Sequence, residues 1–219
     1  MKILIAIMAC WHRENYADAQ RETWIRDIPA GVDYRFFFGP NDKRLPKADE
    51  VFVTCKDDYR SLPLKVKEAM QWAYEQGYDY VFKTDDDVYV RPDRLMLSGF
   101  EKYPYSGFSF QEYGAVGLAY WLDRDCVKLA SDSDPWLDAE DSWISQLMKR
   151  NGVPFRHDPR YRLVIVDRLG SKNIIQGMPG FENDMIAVAE FPGQTMHVPH
   201  QHWKDSLEEY NEIMERVLI

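Results

Sequence analysis

The chain has 219 residues, a formal net charge of −9 and a pI near 5.1. Hydrophobic residues make up 45% and aromatic residues 14%, which excludes an intrinsically disordered chain and is sufficient for a domain with a substantial core. The acidic total opposes nonspecific binding to nucleic acid or to an anionic membrane. Basic residues nevertheless cluster at two places that could line a groove: Lys43, Arg44 and Lys47, and Arg156, Arg160 and Arg162.

The cysteines and the apolar segments indicate the compartment. Cys10, Cys55 and Cys126 form no C-x-x-C pair and are odd in number, which predicts buried free thiols in a reducing compartment. The opening "MKILIAIMAC" is followed by no small-residue cleavage site, so it is interpreted as a buried strand and not as a signal peptide. No apolar run approaches the roughly 18–20 residues of a membrane span. We expect a soluble, cytoplasmic protein.

The first half of the chain alternates between strand and helix patterns. Residues 2–9 predict a central parallel strand, and residues 14–28 predict a helix that ends at Pro29. "SLPLKVKEAMQWAYEQG" is the clearest helix, with Ser61 as its predicted cap and Gly77 at its end. Three further short strands are predicted: "DYRFFFG", "EVFVTC" and "YDYVF". This alternation predicts a Rossmann-like parallel half in an α/β protein.

The second half is less regular. "SFQEYGAVGLAYWLDRDCVKLA" predicts strands that pass into a short helix, "AEDSWISQLMKRNG" predicts a helix, and "RLVIVD" predicts a strand. A long Gly-rich loop and an acidic C-terminal helix are predicted after them. Because no repeat or linker interrupts the chain, we predict one domain over residues 1–219. Its two halves are residues 1–90 and residues 91–219.

Three adjacent carboxylates, Asp85, Asp86 and Asp87, follow the apolar strand "YDYVF" and precede "VYV". Strands are depleted in Asp, so something must offset their mutual repulsion. Ligands of open α/β sheets bind beyond the carboxyl ends of the strands, and carboxylate oxygens suit Mg²⁺ or Mn²⁺. A divalent ion held here would bind phosphates as well. The alternative is that these residues cap a turn.

A second acidic pair, Glu140 and Asp141, opens the helix in "DAEDSWISQL". With Asp138 as the predicted N-cap, both carboxylates fall in the first turn, where the helix dipole favours them. Asp141 also shares a face with Ile144 and Met148, which directs it toward the core or a cleft. A carboxylate in a cleft could accept a proton from an attacking hydroxyl. Both interpretations account for the pair.

Histidines cluster near the C-terminus in "MHVPHQHW". The cluster contains His197, His200 and His202, and imidazole is a common metal ligand. Most single histidines are structural, whereas three within six residues favour a ligand among them, so both interpretations stay open.

Taken in order, five motifs resemble those of the β-1,3-glycosyltransferases of family 31, which include galactosyl-, N-acetylglucosaminyl- and Fringe-type enzymes. The resemblance covers about residues 3–155. Some positions depart from the family pattern, among them Ser61, Pro63, Leu118, Ala119 and Ser142. The motifs are "RETWI", "DDYRSLPLKVKEAMQW", "FKTDDDVYV", "GAVGLAYWLDRDCV" and "EDSWISQLMKRNGV".

The resemblance implies a GT-A fold and an inverting transfer of a sugar from a UDP-sugar with Mn²⁺ or Mg²⁺. It implies that Asp141 is the general base and that Asp87 coordinates the metal. Further roles follow the motif positions. Arg21, Asp57 and Lys65 would lie around the UDP, Asp85 and Asp86 would support the metal and ribose, and His197, with His200 as second choice, would be the late metal ligand.

The sequence leaves more than one acceptor possible. A glycan, such as a bacterial surface-glycan precursor, is one acceptor, and a hydroxymethylated base in phage DNA is another. Family members of eukaryotes usually carry a membrane anchor and disulfides, so we expect a bacterial or viral cytoplasmic enzyme. Two other functions stay open on the residues alone: a Mg²⁺-dependent phosphodiesterase or nuclease, and a non-catalytic module that binds a nucleotide sugar.

Overall fold

A computed structural model describes residues 1–109, 114–163 and a short strand at 187–189. The strands are β1 Ile3–Met8, β2 Val32–Phe38, β3 Glu50–Phe52, β4 Tyr80–Asp85, β5 Val88–Val90, β6 Tyr105–Gly107, β7 Ala119–Asp123, β8 Phe155–His157, β9 Tyr161–Leu163 and β10 Ala187–Ala189. The α-helices are α1 Glu14–Glu22, α2 Leu62–Glu75, α3 Pro92–Met96, α4 Arg124–Asp132 and α5 Glu140–Arg150.

A seven-stranded mixed sheet forms the centre of the described fold, in the order β3-β2-β1-β4-β7-β6-β8. Strands β1 to β4 are mutually parallel, whereas β7 runs antiparallel to β4 and to β6. The predicted α/β fold, with a Rossmann-like first half and a mixed sheet flanked by helices, is therefore confirmed. The pairing of β4 with β7 joins strands from the two predicted halves in one sheet.

Strand β1 is buried along its whole length, as its continuous apolar run predicts. Alternate side chains enter two different core clusters, because successive residues of a strand face opposite sides of the sheet. Ile3, Ile5 and Ile7 pack into one cluster, which also includes Trp24. The neighbouring residues of β1 pack into the other, against α2, α4 and α5. The ends of β1 and β4 are thereby fixed from both faces.

Helix α1 is shorter than predicted, and the predicted cap of α2 lacks the expected side-chain bond. Helix α1 ends at Glu22, because the backbone of Thr23 leaves the helical conformation with φ −113° and ψ −118°, and a short 3-10 turn, Trp24–Asp27, follows. Ser61 occupies the N-cap position of α2 but makes no capping bond with its side chain. The Asp58 carboxylate accepts from the Ser61 amide instead, at 2.8 Å.

Helix α5 begins at Glu140, and its N-cap is Ala139, so the prediction of Asp138 as the cap was wrong. Ala139 makes no side-chain bond to the first turn. The prediction failed because the Glu140 side chain turns inward to bond buried groups, and this contact anchors the start of the helix without a cap. Strand β6 and helix α3 were not predicted at all.

All three cysteines are free, and Cys55 and Cys126 are buried as predicted, whereas Cys10 is only half-buried, so the prediction of burial was wrong for it. Burial raises the pKa of Cys55 to about 11, which keeps this thiol protonated and unreactive at neutral pH. Within the described residues, no helix has the length and apolar character needed to cross a membrane.

Candidate functional site

A pocket of about 570 Å³ opens where β1 and β4 end. This is the carboxyl edge of the parallel strands, where open α/β sheets bind their ligands. Its volume is that of a small-molecule site. The residues that line it are Met8, Ala9, Cys10, His12, Arg13, Asp57, Asp58, Tyr59, Leu62, Lys65, Asp85 and Asp87. Four of the residues predicted to form a site, Asp57, Lys65, Asp85 and Asp87, are thus brought together.

Asp57 is fixed on one wall of this pocket by backbone groups. One carboxylate oxygen accepts from the Trp11 amide at 2.7 Å, and the other accepts from the Gly39 amide at 3.1 Å. The same oxygen also binds the Lys65 ammonium. The Trp11 ring stacks on Phe38 at 4.4 Å and its indole N–H donates to the Gly39 carbonyl, so the donors themselves are held rigidly.

Gly39 is required at this contact because of space. A Cβ at position 39 would lie 2.6 Å from the Asp57 Cβ and 3.0 Å from the Asp57 amide nitrogen. We expect Gly39→Ala to push the two loops apart and to lower the free energy of unfolding by about 1–3 kcal/mol, as overpacking does. Urea denaturation followed by circular dichroism would measure this loss. An unchanged midpoint would contradict the close approach of residues 39 and 57.

Lys65 projects from α2 toward the end of β1. Its ammonium donates to the Ala9 carbonyl at 2.5 Å and to the Asp57 carboxylate, and only 4% of its side chain is exposed. The ammonium has three donors, and two of them already have partners inside the protein. Lys65 therefore fixes Asp57 and the end of β1 relative to each other.

The triplet forms a turn between β4 and β5. Asp85 and Asp87 line the pocket, whereas the Asp86 carboxylate is fully buried and accepts from the Cys10 amide at 3.3 Å. The turn is tied to α1 by the side-chain amide of Gln20, which donates to the carbonyls of Asp85 and Val88 at 3.0 and 2.8 Å.

Each member of the triplet has a cationic partner. Lys83 lies 2.7 Å from Asp85, and the guanidinium of Arg13 lies 2.7 Å from Asp86 and 2.9 Å from Asp87. Burial raises the pKa of Asp85 to about 7, and it raises the pKa of Asp86 to about 8 although Arg13 opposes the shift. These pairs thus compensate the triplet's charge only in part.

A buried network connects the triplet to the start of α5. Lys83 is completely buried and donates to the Gly117 carbonyl, while its ammonium lies 3.4 Å from a Glu140 oxygen. Burial alone would lower the pKa of Lys83, but Asp85 and Glu140 raise it above its ordinary value. The Glu140 carboxylate accepts a further bond from the Tyr120 hydroxyl.

Asp141 joins the network through a backbone amide. The Gly117 amide donates to one of its carboxylate oxygens at 3.2 Å, and the Ser142 amide donates to the other at 2.6 Å. The Gly117 carbonyl binds Lys83, so backbone groups of this one residue connect Asp141 to the ammonium that pairs with Asp85. The structure thereby links the two acidic motifs, although more than fifty residues separate them.

The charges around the pocket favour a divalent cation. Among the described residues of this region and its buried network, five carboxylates adjoin three cationic groups, so the carboxylates outnumber their cationic partners. The eight residues are Asp57, Asp85, Asp86, Asp87 and Glu140, with Arg13, Lys65 and Lys83. Oxygen donors are the ligands that Mg²⁺ and Mn²⁺ prefer, and these ions keep waters or phosphates as further ligands. The residues present therefore fit such an ion, with Asp85 and Asp87 toward the pocket.

The described part of the chain supplies two carboxylates but not a complete set of ligands. Within residues 1–109 and 114–163, no three His, Cys, Asp or Glu side chains are grouped so as to hold a metal. His197 and His200, the predicted late metal ligands, lie outside the described residues. Their role stays a prediction.

Arg21 does not line the pocket. Its guanidinium pairs with Asp18 at 2.6 Å, Asp49 at 2.7 Å and Glu50 at 2.9 Å, and it also lies over the Phe36 ring. Because its donors already bind three carboxylates, the arrangement favours a structural contribution. The predicted contact of Arg21 with UDP stays a prediction.

Arg13, Lys83 and Gln20 are the site residues that sequence reasoning missed. Arg13 lies in "WHREN", which has no strand or helix pattern. Lys83 lies in the strand "YVFKTD", where a lysine resembles an ordinary strand residue. A buried charge requires a partner, so a lysine in an apolar strand two residues before three aspartates was the available signal for Lys83. Nothing in the sequence marks Gln20.

This chain is similar to known proteins in sequence and in structure. A family model described as Galactosyltransferase matches residues 18–103, from α1 to past the triplet, and confirms the resemblance to family 31. A protein from Desulfovibrio desulfuricans G20, described as a candidate nucleotide-diphospho-sugar transferase, has a similar structure. It is 17% identical over 72% of this chain and 80% of that chain, with a TM-score of 0.48. No curated protein matches the sequence. The match to the galactosyltransferase model indicates a glycosyltransferase.

Proposed function

We propose that the protein is a metal-dependent inverting glycosyltransferase that moves a sugar from a UDP-sugar to a hydroxyl group of a glycan, with a β-1,3-galactosyltransferase-like activity. The observation that carries this proposal is the pocket at the sheet edge, where Asp57, Lys65, Asp85 and Asp87 meet. These residues fall within the segment that matches the galactosyltransferase family.

Asp57 forms the part of the pocket that is proposed to receive the nucleoside. Its carboxylate is held by two backbone amides and Lys65, which fixes its position before a ligand arrives. A rigid acceptor group is suited to a ribose hydroxyl or a base N–H, because little ordering is needed on binding. Tyr59, which is 80% exposed and lines the pocket, adds an aromatic surface beside it.

Asp85 and Asp87 would hold the metal, with Asp86 supporting them from the buried side. A bound Mn²⁺ or Mg²⁺ would stabilise the negative charge on the departing diphosphate. Lys83 keeps Asp85 at its place in the turn, and Arg13 does the same for Asp86 and Asp87. His197 or His200 is proposed to complete the ligand set.

Asp141 is the proposed general base. In a single displacement the acceptor hydroxyl attacks the anomeric carbon, its proton passes to the Asp141 carboxylate, and the bond to UDP breaks. The Gly117 amide orients this carboxylate by donating to one oxygen. Inversion follows because the attack comes from the face opposite the leaving group.

Several members of the two basic clusters already pair with carboxylates, which favours a glycan acceptor over phage DNA. In the first cluster, Arg44 pairs with Glu50 at 2.6 Å and Lys47 lies within 4 Å of Asp18 and Glu14. In the second, Arg160 pairs with Asp158. Charges already neutralised by neighbouring carboxylates contribute little to phosphate binding. A DNA acceptor would need cations that are still free to bind phosphates.

Calorimetric titration of UDP tests the proposal. We expect wild-type protein to bind UDP in the presence of Mn²⁺ and to lose that binding in EDTA. Asp87→Asn should abolish the Mn²⁺-dependent binding, because an amide is a weaker ligand than a carboxylate and carries no charge. Asp125→Asn, which removes an exposed carboxylate at the start of α4, is the matched control and should bind UDP like the wild type.

Absence of UDP binding under every condition would contradict the glycosyltransferase. The acidic pocket would then be tested on phosphodiesters, since a Mg²⁺-dependent phosphodiesterase is the alternative that uses the same carboxylates. Binding that persists in Asp87→Asn would exclude Asp87 as the metal ligand. Binding of UDP without any transfer to a panel of acceptors would favour the non-catalytic module.

A further inference from the structure

Among the described residues that line the pocket, Arg13 is the one arginine and Lys65 the one lysine. The two differ in access. Lys65 is 4% exposed and donates to Ala9 and Asp57, whereas the Arg13 side chain is 41% exposed. A negatively charged ligand in the pocket therefore meets Arg13 more directly than Lys65.

Contacts with neighbouring residues fix the position of the Arg13 side chain. It ends the short 3-10 turn Trp11–Arg13 that follows β1, and its guanidinium reaches across to the triplet. It also lies over the Tyr16 ring at 5.5 Å, which limits the directions it can take. Its Nη2 lies 2.7 Å from the fully buried Asp86 as an ion pair, while its Nη1 donates to Asp87 at the pocket wall at 2.9 Å.

We propose that Arg13 is the residue that binds the diphosphate of the donor nucleotide. This inference rests on the proposed function and adds Arg13 to the residues Arg21, Asp57 and Lys65, which the resemblance placed around the UDP. A guanidinium presents five donors in a planar fork, and it can keep one carboxylate while it binds a phosphate oxygen. Arg13 keeps its ion pair with Asp86 through Nη2. Its Nη1, which donates to Asp87 in the free protein, then donates to a diphosphate oxygen.

The charge balance supports this exchange. Arg13 pairs with both Asp86 and Asp87. A divalent cation bound at Asp87 would neutralise that carboxylate in place of the guanidinium. The guanidinium then needs a new anionic partner, and the diphosphate is the anion that arrives with the cation. Metal binding and diphosphate binding thereby support each other, without any step in which Lys65 leaves Asp57.

The test compares two ligands that differ only in their phosphates. In the presence of Mn²⁺, UDP is titrated calorimetrically and uridine is titrated by NMR, with wild type, Arg13→Gln and Arg13→Lys. Loss of a charge-assisted hydrogen bond should weaken UDP about 10- to 100-fold in Arg13→Gln, while uridine affinity stays unchanged. Arg13→Lys keeps the charge beside Asp86 without the fork, so it should recover part of the loss.

Arg91→Gln is the matched control. Arg91 has a similar exposure, 36%, and pairs with Asp93 away from the pocket, so both ligands should bind as in the wild type. Equal weakening of UDP and uridine in Arg13→Gln and Arg13→Lys would mean that Arg13 only supports the fold, and would overturn the inference. Unchanged UDP binding in both would also overturn it. If wild-type protein fails to bind UDP, the proposed function itself is wrong, which is a different result.

Discussion

Lys83→Met is expected to lower the free energy of unfolding by about 3 kcal/mol, because it leaves the buried Glu140 and the partly buried Asp85 without their cation. Lys83 is fully buried, lies 2.7 Å from Asp85 and 3.4 Å from Glu140, and donates to the Gly117 carbonyl. Methionine fills a similar volume, so the loss comes from the charge and the hydrogen bonds and not from a cavity. Urea denaturation in EDTA measures the change without any contribution from bound metal.

Two further variants separate this effect from a general loss of lysine. Lys128→Met removes an exposed partner of Asp132 on α4, and pairs this exposed contribute little to stability because solvent screens them. Glu140→Gln added to Lys83→Met removes one of the stranded charges and should recover part of the stability, since the amide oxygen can still accept from Tyr120. A loss in Lys83→Met no larger than in Lys128→Met would contradict the network.

The fold could be predicted where local pattern and burial agree. The apolar run of β1 and the stripe on α2 each indicate one structure, and both are found. Strand β6, with the sequence "YSG", has little strand propensity of its own and forms through its pairing with β7 and β8. The early end of α1 likewise accompanies the burial of Trp24, which is completely buried in the core directly after the non-helical Thr23. Tertiary contacts decide such elements, and short sequence windows do not contain them.

The site divides in the same way. The triplet and Asp57 could be found because each stands in a motif, and Asp141 could be named because it opens a helix. Their partners could not, because Arg13 meets the triplet, and Gly117 meets Asp141, only after the sheet has formed. The sequence therefore predicts the carboxylates of the site but not the cationic side chains that pair with them in the fold.

Asp141→Asn is expected to lower the transfer rate by about 10²–10⁴-fold while UDP binding with Mn²⁺ stays unchanged, if Asp141 is the general base. Asparagine has nearly the same shape and can still accept from the Gly117 amide, but it cannot take a proton. Asp138→Asn makes the same chemical change on an exposed side chain three residues earlier and should retain full activity. The measurement is the initial rate of sugar transfer, with UDP titration of the same samples.

The outcome of this pair distinguishes chemistry from positioning. If Asp141→Asn loses UDP binding along with transfer, its carboxylate supports the donor pocket through Gly117 and Lys83. Full transfer activity would mean that the proton passes to another group. Because Glu140 lies beside it but is buried and bonded to Tyr120 and Lys83, that group would have to come from elsewhere in the chain or from water. Loss of rate with intact UDP binding supports Asp141 as the base, because the donor pocket is then unaffected by the substitution.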